Sequence, residues 1–64
     1  MEFVYLMINS SEWEDNIIYL TEEEAIKTSI KYPNVRIEIF SKNPHCNGYS
    51  PNYNYYKDGK FYTK

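Results

Sequence analysis

Sixty-four residues make one domain and no more, spanning 1–64. A core of that size contributes at best about 3–5 kcal/mol and usually leans on disulfides, metal or oligomerisation. The single cysteine, Cys46, excludes an intrachain disulfide, and with His45 it gives two soft ligands where a closed zinc site wants four, so oligomerisation is the remaining prop.

The net charge of −2 divides into −5 over residues 1–32 and +3 over residues 33–64. Such a dipole either steers an acidic partner to the C-terminal half, sets two copies head to tail, or is simply a solvated surface of uneven charge. No basic stretch follows Met1-Glu2, so no secretory signal is expected. No apolar run approaches the ~20 residues of a membrane span, so no membrane partner is expected. One cysteine fits a reducing compartment, and the Asn9-Ser10-Ser11 match to the glycosylation pattern is read as chance.

In chain order, Glu2 to Ile8 is the most apolar stretch and reads as a strand. Val4, Leu6 and Ile8 point one way; Phe3, Tyr5 and Met7 point the other. A strand apolar on both sides belongs inside a sheet. A polar, acidic connection containing Trp13 runs from Asn9 to Asn16, and Ile17 to Leu20 is the second strand. Thr21-Glu22-Glu23-Glu24 is a capping box in which the Thr21 hydroxyl accepts from the Glu24 N–H, and three glutamates suit the positive end of a helix. Ala25, Ile26, Ser29 and Ile30 form its narrow apolar stripe, and Pro33 ends the helix near Lys31 or Tyr32.

Val35 to Phe40 alternates as a third strand. Ser41 to Asn52, with Pro44, Asn47-Gly48 and Pro51, reads as a loop. The last dozen residues carry aromatic runs on both sides of Asp58-Gly59, which predicts a β-hairpin pairing Lys57 with Lys60, Tyr56 with Phe61 and Tyr55 with Tyr62.

The expected fold is a small α+β domain in ββαβββ order. It has an antiparallel or mixed sheet, one helix on one face and a C-terminal β-hairpin. A β-α-β crossover around the helix makes the second and third strands parallel, and the first strand fits between them in order 2-1-3. One helix covers one face. The aliphatic side is assigned to it: Val4, Leu6, Ile8, Ile18, Leu20, Val35, Ile37 and Ile39. The opposite side, with Phe3, Tyr5, Met7, Ile17, Tyr19, Arg36, Glu38 and Phe40, is too apolar to stay wet. Either the hairpin folds over it or a second copy packs on it as a homodimer.

Catalytic chemistry is not indicated. His45-Cys46 is a pair from which nucleophilic catalysis can be built, but no oxyanion-hole motif or orienting partner accompanies it. Glu12, Glu14 and Asp15 lack the spacing of a calcium loop and read as a solvated acidic loop. No metal or cofactor is expected. Trp13 is expected to plug the sheet end, the alternative being an exposed anchor for a partner. The hairpin offers a Tyr/Lys surface, Tyr53, Tyr55, Tyr62, Lys57, Lys60 and Lys64, on which bases can stack while lysines track phosphates. The acidic balance and seven basic residues in all weigh against that single-stranded nucleic-acid reading.

Three strings carry a resemblance: Trp13 to Ile26 (WEDNIIYLTEEEAI), Tyr32 to Phe40 (YPNVRIEIF) and Gly48 to Tyr56 (GYSPNYNYY). They resemble short uncharacterised proteins of large DNA viruses of amoebae, the marseillevirus and mimivirus groups. The likeness covers most of the chain, and no catalytic residue can be carried over from it. The resemblance implies a setting: synthesis in an infected amoeba, with virion, host cytoplasm and host nucleus as compartments. Together these readings point to a non-enzymatic, self-associating protein-interaction module. Tyr5, Tyr19, Phe40, Tyr55 and Tyr62 are its expected partner-binding residues, and its expected partners are a second copy and a host or viral protein.

Overall fold

The computed structural model describes residues 2–8 and 12–63. The Asn9-Ser10-Ser11 pattern and Lys64 lie outside them. Five strands and one helix follow one another as β1 (Phe3–Met7), β2 (Ile17–Tyr19), α1 (Glu22–Lys31), β3 (Ile37–Lys42), β4 (Tyr49–Lys57) and β5 (Lys60–Tyr62). They form one sheet in the order β2-β1-β3-β4-β5, antiparallel at every contact. The expected α+β class, the ββαβββ order and the position of β1 between β2 and β3 all hold.

Local chemistry sets the element ends. Thr21 caps α1 from extended backbone, and its hydroxyl accepts from the Glu24 N–H at 3.2 Å. Glu22, Glu23 and Glu24 fill the first turn and Lys31 the last, each charge placed to suit the helix dipole. Asp58 (φ 52°) and Gly59 (φ 75°) both take positive φ, and Lys57↔Lys60, Tyr56↔Phe61 and Tyr55↔Tyr62 pair as the turn requires.

The register corrects the assignment of faces. Directly opposed residues of an antiparallel pair share a side. Tyr5 lies opposite both Ile39 and Tyr19, and Met7 lies opposite both Ile37 and Ile17. The helix therefore covers Tyr5, Met7, Ile37, Ile39 and Tyr56, not the all-aliphatic set, while Val4, Leu6 and Ile18 point away from it. Volume explains the choice. The helix brings small residues to the sheet: Ala25 and Ser29 are fully buried and Thr28 nearly so, while Ile30 stays exposed. Small helix residues leave room for tyrosine and methionine beneath them, and close packing rewards that match.

The loop expected over Ser41 to Asn52 is also shorter. β3 runs on to Lys42 and β4 begins at Tyr49, so the hairpin joins the sheet through β3 and does not fold across the outer face. Between Glu38 and Phe40 the register shifts: Glu38 opposes Tyr55 and Phe40 opposes Pro51, leaving Asn52, Tyr53 and Asn54 as a bulge opposite Ile39. Tyr53 sits at φ 70°, and the Asn54 N–H donates to Asn52 Oδ1 at 3.0 Å, closing a local turn.

Ser29 ties the two halves together. The Gly59 N–H donates to its hydroxyl at 2.9 Å, and that hydroxyl donates to the Ile26 carbonyl at 2.7 Å. A Cβ on Gly59 would lie 2.8 Å from Ile30 Cγ1 in addition to needing positive φ. Ser29→Ala leaves the Gly59 N–H without this acceptor at the helix–turn contact and is expected to cost about 1–3 kcal/mol in urea unfolding. Gly59→Ala is expected to cost as much or more through strain at the turn, about 1–3 kcal/mol before the Ile30 contact is added; an unchanged urea midpoint in both variants would show that the turn is not anchored there.

Candidate functional site

Two aromatic surfaces arise on opposite sides of the sheet. The outer one is the face that α1 leaves uncovered. Val4↔Phe40, Leu6↔Ile18, Leu6↔Glu38, Glu38↔Tyr55, Tyr55↔Tyr62 and Lys42↔Tyr49 set its rows. Val4, Leu6, Ile18, Phe40 and Tyr49 line a shallow apolar depression there of about 260 Å³. Ile18 and Leu20 are more than half exposed.

Beside the depression runs a polar-aromatic ladder. Arg36 Nε meets Glu38 Oε2 at 2.7 Å, and its guanidinium carbon lies 3.8 Å from the Tyr55 ring centroid. Tyr55 and Tyr62 stack with centroids 5.1 Å apart and planes within 10°. Tyr55 thus has Arg36 from the β3 side and Tyr62 from the β5 side. This arrangement orders long side chains across three strands through an ion pair, a cation–π contact and a ring stack.

The five residues expected at a partner surface divide. Phe40, Tyr55 and Tyr62 lie together on the outer face. Tyr5 and Tyr19 belong to the helix side: Tyr5 is 7% exposed, and Tyr19 packs against the core. The sequence reading missed Val4, Leu6 and Ile18, which take the places on the outer face that it gave to Tyr5 and Tyr19. β1 is apolar on both sides and so carries no signal that distinguishes the two sets.

On the helix side, the Tyr56 hydroxyl donates to Glu22 Oε2 at 2.6 Å, a short charge-assisted bond across 34 residues of chain. Tyr5 and Tyr56 lie 6.3 Å apart at 46°, and Tyr56 and Phe61 lie 5.5 Å apart at 58°. Burial, the hydrogen bond to Glu22 and the Glu22 charge push the Tyr56 hydroxyl well above the ordinary phenol value. Burial, and then the Glu22 charge, raise Tyr5 as well.

The other candidates stand apart. His45 and Cys46 lie in the connection between β3 and β4, where Asn43 Oδ1 accepts from the His45 N–H at 2.8 Å and Asn43 Nδ2 donates to Ser50 at 2.7 Å. Cys46 is exposed. Trp13, in a 3-10 turn over Trp13–Asp15, is 81% exposed, which corrects its placement as a plug. Among the described residues no group of three or more His, Cys, Asp and Glu side chains is arranged to hold a metal ion, and no helix is long and apolar enough to cross a membrane. Comparison with family models, curated proteins and solved structures finds no match to this chain.

The raised phenols make stability pH-dependent at the alkaline end. An unfolded tyrosine titrates near pH 10, so above about that pH the unfolded chain releases protons that folded Tyr5 and Tyr56 retain. Their contribution is complete below about pH 10 and is lost as the pH rises beyond it. Urea midpoints followed into the alkaline range are expected to fall, and Tyr56→Phe is expected to flatten the fall while lowering the neutral-pH midpoint. An identical alkaline slope in Tyr56→Phe would remove Tyr56 as its source.

Proposed function

We propose that this chain is a non-enzymatic protein-interaction module that self-associates through the outer face of its sheet. The observation that carries the reading is the uncovered face itself. Val4, Leu6, Ile18, Phe40 and Tyr49 form an apolar centre, flanked by the Arg36–Glu38 pair and the Tyr55–Tyr62 stack. An apolar centre with a polar rim is the usual anatomy of a protein interface.

Three features favour a second copy as the occupant. The sheet edges are poor docking sites, since β2 and β5 are only three residues long and β5 begins with Lys60. The Arg36–Glu38 pair carries both charges on one face, so two faces related by a two-fold axis can exchange partners across it. Among the described residues the core holds six buried hydrophobic side chains, which is small, and face-to-face packing is the available way to enlarge it. In the viral setting that the resemblance implies, such a dimer would be virion content or a factor that meets a host or viral protein early in infection, in cytoplasm or nucleus.

Single-stranded nucleic-acid binding through the hairpin is the reading this one displaces. Tyr55, its central ring, already has Arg36 and Tyr62 against it, which weakens the case for a ring left open to a base.

Light scattering behind a sizing column, at low and high salt and micromolar protein, tests the proposal. The expected mass is that of two chains at both salt concentrations, because apolar burial responds little to screening. Phe40→Glu is expected to give monomer with the circular-dichroism spectrum retained. A wild-type monomer across the concentration range overturns self-association, and steeply salt-dependent retention of labelled oligonucleotide would favour the phosphate-dominated alternative.

A further inference from the structure

The helix side carries a second cleft, independent of the outer face. It encloses about 230 Å³ beside the first turn of α1, and Phe3, Tyr5, Tyr56 and Phe61 wall it with Glu22 alongside. A cavity of about 150 Å³ takes a benzene molecule, so this cleft has room for a compact group of similar or slightly larger size.

Its chemistry is specific. Four aromatic residues from three strands converge on one small volume, which is a third of all the aromatic side chains in the protein. Where Tyr55 and Tyr62 lie flat on each other outside, the rings here are tilted, Tyr5 against Tyr56 by 46° and Tyr56 against Phe61 by 58°. A tilted row lines the cleft as a curved wall instead of a flat stack. The negative face of an aromatic ring attracts a cation and has no attraction for an anion.

Glu22 gives the same sign. Its carboxylate is fixed beside the rings by the Tyr56 hydroxyl at 2.6 Å, and Glu23 and Glu24 follow it in the same helical turn. The Arg36–Glu38 pair lies on the other side of the sheet, and among the described residues no lysine or arginine forms an ion pair with Glu22. The bulge at Asn52 and Asn54 completes the rim with amide groups, and its left-handed Tyr53 lets the chain turn there without breaking β4. Burial raises the Tyr5 and Tyr56 phenols, so both stay neutral into the alkaline range.

We propose that this cleft binds a methylated ammonium group, such as that of choline or of a trimethylated lysine side chain. Such a cation is bulky enough to fill an apolar pocket and too weakly hydrated to resist entering it. Phe3, Tyr5, Tyr56 and Phe61 supply the ring faces, and Glu22 supplies the countercharge. An unmethylated ammonium is more strongly hydrated and has no methyl groups with which to fill the walls.

The test is a titration of the full chain followed by two-dimensional NMR of the aromatic protons. Choline and Nε-trimethyllysine are the probes, lysine and 3,3-dimethylbutanol (the uncharged isostere of choline) the controls. Saturable millimolar binding is expected for a methylated cation, with shifts at Tyr5, Tyr56 and Phe61. Saturation by choline would identify a small free cation as the fitting ligand, and saturation only by trimethyllysine a modified side chain. Loss of the charge is expected to weaken binding about tenfold or more in the isostere. Glu22→Gln is expected to weaken choline binding several-fold, and Phe61→Ala, at a half-exposed wall position that tolerates truncation, is expected to abolish saturation with the fold intact. Equal affinity for dimethylbutanol would show an apolar cleft without cation selectivity and overturn the proposal. Shifts confined to Tyr55 and Tyr62, or none that saturate, would overturn it too.

Discussion

A ten-residue helix is about 15 Å long and 10 Å wide, while five paired strands spread over roughly 20–24 Å and present two sides. The two exposed surfaces of this protein follow from that mismatch. The helix covers only the middle of one side, where Ile37 and Ala25 reach complete burial. Beyond its first turn, on the same side, aromatic residues must border open space, and there the Glu22 cleft forms. Among the described residues, no helix covers the opposite side. With so little helix available, its inward residues stay small and the sheet supplies the bulk, which is why the core contains two tyrosines and a methionine beneath alanine, serine and threonine.

The same amino acid therefore serves different ends according to side. Tyr56 is held inside with its hydroxyl on Glu22, whereas its neighbour Tyr55 stands outside between an arginine and another tyrosine. Strand alternation alone separates them. A one-residue slip of β4 would exchange their surroundings, placing a carboxylate-bound phenol in the open and a stacked ring in the core. The Ser29–Gly59 bond opposes that slip, because it fixes the turn that sets the pairing of β4 with β5 to a residue in the last turn of the helix.

How much of this was legible in the chain depended on how local the cause was. The hairpin register followed from Asp58-Gly59, since a two-residue turn leaves no freedom in pairing. The helix followed from Thr21 and its three glutamates, and the interior position of β1, between β2 and β3, from its being apolar on both sides. That same property hid which side faced the helix: a strand with two apolar faces fits either way, and the decision rested on side-chain volumes across a contact between distant segments. The early start of β4 was hidden by Asn47-Gly48 and Pro51, which read as turn formers. Pro51 is tolerated because β5 pairs only with Tyr55, Tyr56 and Lys57, so this part of β4 has no neighbour on that side to which a missing N–H would matter. Of the candidate surface, Phe40, Tyr55 and Tyr62 were recoverable from alternation within their own strands. Val4, Leu6 and Ile18 were not, and neither was the cleft, which exists only once β1, α1, β3, β4 and β5 are brought together.

The attachment of the β4–β5 hairpin also guards the chain against its own kind. With the hairpin in place, both sides of β3 are paired. If it detached, the edge of Ile37-Glu38-Ile39-Phe40 would be bare, a β-prone run with one charge and no proline, open to strand addition by any other unfolded copy. The bonds from Gly59 to Ser29 and from Tyr56 to Glu22 raise the free energy of that partial opening. Their effect on aggregation rate can therefore exceed their effect on overall stability, since they act on the one excursion that uncovers a template.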